Sequence, residues 1–218
     1  MNSRDAVLGR IRTLLGSEPS GPLPPVPEVW PDTQPSRARM AEQFAEALAV
    51  VQGEMVRCAT MDDARRKLAE LAAANNWSSV GSLDRPLCRS VAEGLAPGAV
   101  LLESPHWNPK QMAPLDAGLL EADYLLADTG SAMIACARPE QRILVYIPPA
   151  CVIVASSDRL REHLPSAWRE IAPRVADPAL RGEFVLVTGP SRTADIEKIL
   201  ILGVHGPKRL FILLIDAP

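Results

Sequence analysis

Aromatic residues make up only 4% of this 218-residue chain, so its core has to be assembled from the aliphatic part of a 47% apolar composition, chiefly Ala, Leu, Val and Ile. Long apolar runs are missing too. None approaches the roughly 18–20 residues of a membrane-spanning helix, and the longest are strand-sized, such as Leu210–Ile215. Neither sign of charge is in excess: 23 Lys and Arg stand against 26 Asp and Glu, a net charge of −3. That excludes the basic footprint a nucleic-acid partner requires and lends no support to an acidic substrate or an anionic membrane. Four cysteines, Cys58, Cys88, Cys136 and Cys151, lie far apart with no C-x-x-C pair, and His106, His163 and His205 form no H-x-x-x-H pair. This spacing argues against a zinc or iron–sulfur site in the chain. Arg4, Arg10 and Arg12 interrupt the apolar residues at the start, which a secretory signal does not tolerate. The expectation is a cytoplasmic protein.

What the chain does have is proline. Seven of its 21 prolines fall between Pro19 and Pro35, and proline removes the N–H that helices and ladders use. Residues 1–35 therefore read as an N-terminal helix over residues 3–16 followed by an extended linker, an arm reaching over the body or to a second copy of the chain. Residues 36–218 read as one α/β domain. Met40, Phe44, Leu48 and Val51 repeat at helical spacing, Met55–Ala59 is strand-like, and residues 61–76 carry Asp62 and Asp63 where a helix dipole favours carboxylates. A strand at SSVGS, a helix over 84–95 and a strand over 99–103 follow. Short apolar runs follow at Tyr124–Ala127, Ala132–Ala135, Ile143–Ile147 and Val152–Ala155, the middle ones close enough for antiparallel hairpins. Asp158–Leu164 reads as helical. The closing unit FVLVTGPSRTADIEKILILGVHGPKRLFILLID reads strand, turn, helix, turn, strand. Strands alternating with helices predict a three-layer α/β/α fold with a mainly parallel sheet, closed by a right-handed βαβ crossover.

Two turns carry the candidate chemistry. In the segment Thr188, Gly189, Pro190, Ser191, Arg192, Thr193 and Asp195, a strand ends and a helix is expected to begin, which would aim backbone N–H groups at an anion. Arg192 would clamp a carboxylate or phosphate, and Thr188, Ser191 and Thr193 would offer hydroxyls. The alternative is structural: Ser191 or Thr193 caps a helix, Gly189 makes a turn and Asp195 complements a dipole. The sequence is neither G-x-G-x-x-G nor a P-loop. His205, beside Gly206 and Pro207, reads as a group capping the last carbonyls of that helix or pairing with its dipole, in preference to a catalytic one. The second turn is Asp128, Thr129, Gly130 and Ser131, where Asp128 either holds a tight turn or serves as an acid or base facing a cleft. Tyr146 either stacks on a ligand or fills the rim of the sheet. Since there is no Ser/His/Asp triad or paired-carboxylate spacing, no nucleophile is assigned.

These segments, TGPSRTADIE, LGVHGP, ADTGS and YIPPACVIV, resemble the lactate-utilisation protein C family, whose members consist of a LUD domain. The resemblance is strong over residues 123–215, weaker over 1–60 and faint between. Ser131 stands where members often have Thr, which keeps the hydroxyl, and Cys151 stands where they often have His. The resemblance implies a fold similar to the sugar-phosphate isomerase and CoA-transferase (NagB/RpiA-like) superfamily. It further implies a part in bacterial oxidation of L-lactate to pyruvate beside iron–sulfur partner subunits, with the clusters on those partners and no cofactor in this chain. The two motif turns then become a site for a small anionic ligand or a partner. The alternative, by analogy of fold alone, is a stand-alone enzyme or binding protein for a phosphorylated, acyl-CoA or carboxylate ligand.

Overall fold

A computed structural model describes residues 3–15, 29–173, 178, 183–196, 199–202 and 206–216, with the backbone alone at 15, 193–196 and 199–202. Most of the proline-rich linker, Glu197, Lys198 and His205 lie outside these residues. The chain divides into two compact units, Met1–Pro31 and Asp32–Pro218. The first holds helix α1 (Ser3–Leu15), on which Val7, Ile11 and Leu14 are exposed. Among the described residues no helix is long and apolar enough to cross a membrane.

In the second unit, helix α2 (Arg37–Val50) starts at Ser36, whose hydroxyl accepts from the Arg39 amide, and buries Ala41, Phe44 and Leu48. Strand β1 (Glu54–Cys58) leads to α3 (Met61–Ala74), begun by reciprocal capping between Thr60 and Asp63. Then come β2 (Val80–Ser82), α4 (Pro86–Ala92), β3 (Val100–Leu102), the short α5 (Pro109–Met112), β4 (Ala117–Glu121), β5 (Tyr124–Leu126) and β6 (Ser131–Ala135). Helix α6 (Pro139–Tyr146), β7 (Ala150–Ser156), β8 (Leu160–Arg161), α7 (Leu164–Ile171), β9 (Phe184–Val187), β10 (Arg192–Ile196), β11 (Ile199–Leu202) and β12 (Arg209–Ile215) complete the order.

Six parallel strands form the main sheet in the order β1-β12-β7-β4-β2-β3. Its centre, β12 and β7, is apolar almost without interruption because both of its faces are covered. Strand alternation sets the sides. Glu121 of β4 accepts from the Leu87 amide of α4, whereas Gly118, one face over, lies against Leu144 of α6. Gly81 of β2 pairs in register with Gly118, and a Cβ on Gly118 would stand 2.7 Å from the Leu144 carbonyl oxygen. Two adjacent glycines thus open the trough that seats α6. The expectation of an α/β fold built on a mainly parallel sheet flanked by helices is met. A second, mixed sheet, β8-β5-β6-β9, turns Leu125, Ala132, Ile134, Val185 and Val187 to the common core. On its other side Tyr124, Leu126 and Met133 pack with Ala167 and Ile171 of α7.

Three local expectations are corrected. Ile143–Ile147 is not a strand but the second half of α6 and its C-cap, because Pro139 fits the first helical turn and Gln141 folds back to cap it. Asp158–Leu164 is a 3₁₀ turn (Ser157–Arg159) and the short β8, with the helix displaced to α7. The crossover helix expected after Thr188 is absent: β10 and β11 form an antiparallel hairpin, pairing Arg192 with Leu202 and Ile196 with Ile199. Ile196, Ile199 and Ile201 are β-branched and favour strand, and a short apolar run carries no period to overrule that preference. Strand β9 belongs to the mixed sheet, so the closing unit joins two sheets instead of crossing over within one.

Candidate functional site

The two motif turns meet at the end of α2. Gly130, between β5 and β6, has φ +64°, and a Cβ there would stand 2.4 Å from the Leu48 amide nitrogen. Gly189, after β9, has φ +85°, and its Cβ would stand 2.8 Å from the Val51 carbonyl oxygen. Each turn is pressed flat on one helix end, and only glycine combines that conformation with that approach.

Register does the rest. Strands β6 and β9 pair Ala132 with Val187, so the next residues outward, Ser131 and Thr188, face one another across the ladder. Their hydroxyl oxygens are 2.6 Å apart, and the buried Ser131 hydroxyl donates to Thr129 Oγ1 at 2.8 Å. With the Ser131 proton committed to Thr129, Thr188 is the donor to Ser131. The three hydroxyls form a directed chain, Thr188 to Ser131 to Thr129, which leaves the Thr129 proton for an outside acceptor. Behind them, Asp128 Oδ1 is buried and meets no hydrogen-bond partner among the described residues, while the Asp128 amide donates to the Glu162 carbonyl at 3.1 Å.

A cavity of about 270 Å³ opens beside Thr188. Val145, Tyr146, Leu186 and Pro207 give it an apolar side, and Thr188, Gly189, Ser191 and Arg192 a polar one. The Ser191 amide donates to the Pro207 carbonyl at 2.9 Å, and the Lys208 amide donates to the Pro149 carbonyl at 2.8 Å. These bonds draw the GPS, GPK and IPP turns together. Tyr146 is exposed on this wall, at the end of α6. Arg192 is exposed and Pro190 buried. Thr193 and Asp195 continue along β10, where only their backbone is described. With β10 a strand, the helix N-terminus expected at this turn is not formed among the described residues, and Thr188, Ser191 and Arg192 bring side-chain donors to the lining. The anchor-like geometry is that of one guanidinium and several hydroxyls beside an apolar wall, which suits a small carboxylate or phosphate with an apolar body.

Sequence reasoning missed a second polar cluster, at the carboxyl ends of the parallel strands. Arg85 reaches Asp123 with both terminal nitrogens, at 2.9 and 3.2 Å, and the Glu121 carbonyl at 3.2 Å. Burial opposes the Arg85 charge, but the hydrogen bonds and charge of Asp123 more than offset it and hold the guanidinium above its usual pKa. Asp123 also accepts from the Ala135 amide at 2.7 Å, tying the mixed sheet to the parallel one. A cleft of about 540 Å³ beside this pair is lined by Arg37, Glu121, Ser156 and Arg159, among others. The only sequence signal was the pair of carboxylates in Glu121-Ala122-Asp123, just ahead of an apolar run, and nothing local tied Arg85 to it. The four cysteines are free and buried. Burial pushes the Cys151 thiol up to about 12 and the Cys136 thiol up to about 11.

The LUD domain family model matches residues 41–215. The chain is 30% identical over 96 residues to lactate utilization protein C of Bacillus pumilus, covering 44% of this chain and 40% of that protein. It is 29% identical over 114 residues to the uncharacterized protein YkgG of Escherichia coli, covering 50% and 48%. The chain thus spans about half the length, or less, of these curated relatives. A crystal structure of a DUF162 family protein from Deinococcus radiodurans superposes with a TM-score of 0.61 at 20% identity, over 83% of this chain and 99% of the other, which shows a shared fold. With its family model spanning both motif turns and the sheets that align them, the chain belongs to the LUD domain family.

Proposed function

We propose that the protein is an accessory component of lactate utilisation, serving the oxidation of L-lactate to pyruvate beside partner subunits that carry iron–sulfur clusters. The observation that carries this reading is the family match over residues 41–215, together with relatives named lactate utilization protein C. The chemistry of the thiols supports placing the clusters on partners: each is buried, and burial disfavours the thiolate that ligates iron. In this reading the cavity beside Thr188 receives a small carboxylate. Arg192 supplies the charge, Ser191 offers a hydroxyl donor, and Tyr146 with Leu186 covers the apolar part.

The test is growth on L-lactate as sole carbon source of a strain lacking the gene, complemented with wild-type or Arg192→Ala protein. The expected result is no growth without the gene, rescue by the wild type, and at least tenfold slower growth with a variant that accumulates to the same level. Normal growth of the deletion strain, with no second copy of the gene present, would overturn the reading.

A further inference from the structure

Away from the cavity, at the start of α7, three metal-ligating side chains converge that no motif joins. A ring nitrogen of His163 and one carboxylate oxygen each of Asp32 and Glu162 lie within 4.8 Å of one another. His163 is 3% exposed. Its Nδ1 accepts from the Ser166 amide at 3.2 Å, while its Nε2 is buried and meets no partner among the described residues. A buried histidine with one ring nitrogen unpartnered, in a cluster with two carboxylates, is an unusual thing for a fold to keep. The carboxylates themselves are held in place from behind. Thr33 donates its amide to Glu162 Oε2 at 3.1 Å and its hydroxyl to Oε1, and Arg169 donates to Asp32 Oδ2 at 2.7 Å. Bonds of this kind orient metal ligands from outside the coordination sphere and leave lone pairs on each carboxylate.

The geometry points to a site for a divalent transition-metal ion of the zinc class, with His163 Nε2, Glu162 and Asp32 as ligands and the remaining position open to water. One imidazole with two carboxylates suits such an ion better than calcium or magnesium, which take oxygen ligands. Bonds of about 2.0–2.2 Å to a tetrahedral ion bring the donors to about 3.4 Å from one another, so the cluster has to tighten on binding. Asp32, with 41% of its side chain exposed, has room to turn inward. Coordination through Nε2 requires the ring proton on Nδ1, which ends the bond from the Ser166 amide. That amide also donates to the His163 carbonyl at 3.1 Å, and the Ser166 hydroxyl donates to the same carbonyl at 2.6 Å, so Ser166 keeps its partners while the ring turns its Nδ1–H away from the amide. Two carboxylates against the single Arg169 leave the cluster net negative, as a cation requires. The ion is a Lewis acid without redox change, distinct from the iron–sulfur chemistry assigned to partners.

The experiment uses the full-length, untagged chain, stripped with chelator, incubated with a twofold excess of Zn²⁺, desalted and measured for bound metal. We expect about one zinc per wild-type chain and less than a fifth of that in Asp32→Asn and in Glu162→Gln, both with unchanged far-UV circular dichroism. Co²⁺ loading should give the visible absorption of a tetrahedral site with nitrogen and oxygen ligands and no thiolate charge-transfer band. No retained zinc in the wild type, or equal retention in Asp32→Asn, would overturn the proposal, as would a thiolate band.

Discussion

Gly130 and Gly98 make a controlled pair. Both have positive φ, +64° and +83°, but a Cβ on Gly98 meets nothing within 4 Å, whereas one on Gly130 meets the α2 backbone at 2.4 Å. Gly98→Ala should cost only the backbone strain, about 1–2 kcal/mol. Gly130→Ala adds overpacking against an element that cannot yield, for a total of about 2–4 kcal/mol. Urea midpoints should separate the two, and equal midpoints would mean that the turn does not sit on α2. Asp116 supplies a residue-scale effect of pH. Burial raises its pKa, but the Ser78 and Ser79 amides and the Ser78 hydroxyl donate to its carboxylate, and the net shift is downward. A folded pKa below the unfolded one of about 3.9 contributes stability that is full above that value and fades as pH falls towards the folded pKa. Asp116→Asn should therefore be less stable than wild type at pH 7, with the gap narrowing once the pH drops below about 4. A gap that stays constant with pH would remove the charge from the explanation.

Among the elements, those the sequence made legible carry either a period or a cap. Phe44 and Leu48 repeat at helical spacing and are buried in α2, Asp62 and Asp63 mark the start of α3, and Leu210–Ile215 is buried as the centre of the parallel sheet. Short apolar runs were legible as core but not as helix or strand. Ile143–Tyr146 became helix because a proline and a cap outside the run decided it, and Ile199–Leu202 became strand because β-branching and a hairpin partner did. Strand β4 went unread because Ala117 and Gly118 carry little hydrophobic signal, and the glycine is there to make room for α6. For the candidate site, the sequence singled out two turns that the fold brings together, and it misjudged the element that follows the second. Ser131 and Thr188 meet because of the β6–β9 register, a relation between residues 57 apart. Arg85 with Asp123, and Asp32 with Glu162 and His163, are likewise joined only by the fold.

At the scale of the molecule, two sheets with different strand directions share one core, and Ile134 and Val185 from the mixed sheet pack in the same cluster as Ile153 and Phe211 from the parallel one. Asp123 ties the sheets by a bidentate bond to Arg85 and a bond from the Ala135 amide. Opening either sheet therefore exposes the other, so residues 32–173, 183–192 and 206–216 should unfold as one cooperative body. Its four sealed thiols turn this cohesion into a set of internal clocks. A colourless disulfide reagent added to the native protein reads out a core opening each time a sulfur reacts. Cys151 sits in β7, flanked in the sheet by β12 and β4, whereas Cys58 ends β1, one of the two edge strands. Labelling followed by mass spectrometry should find Cys58 modified first, through fraying of the border, and Cys151 last, at the tempo of global unfolding.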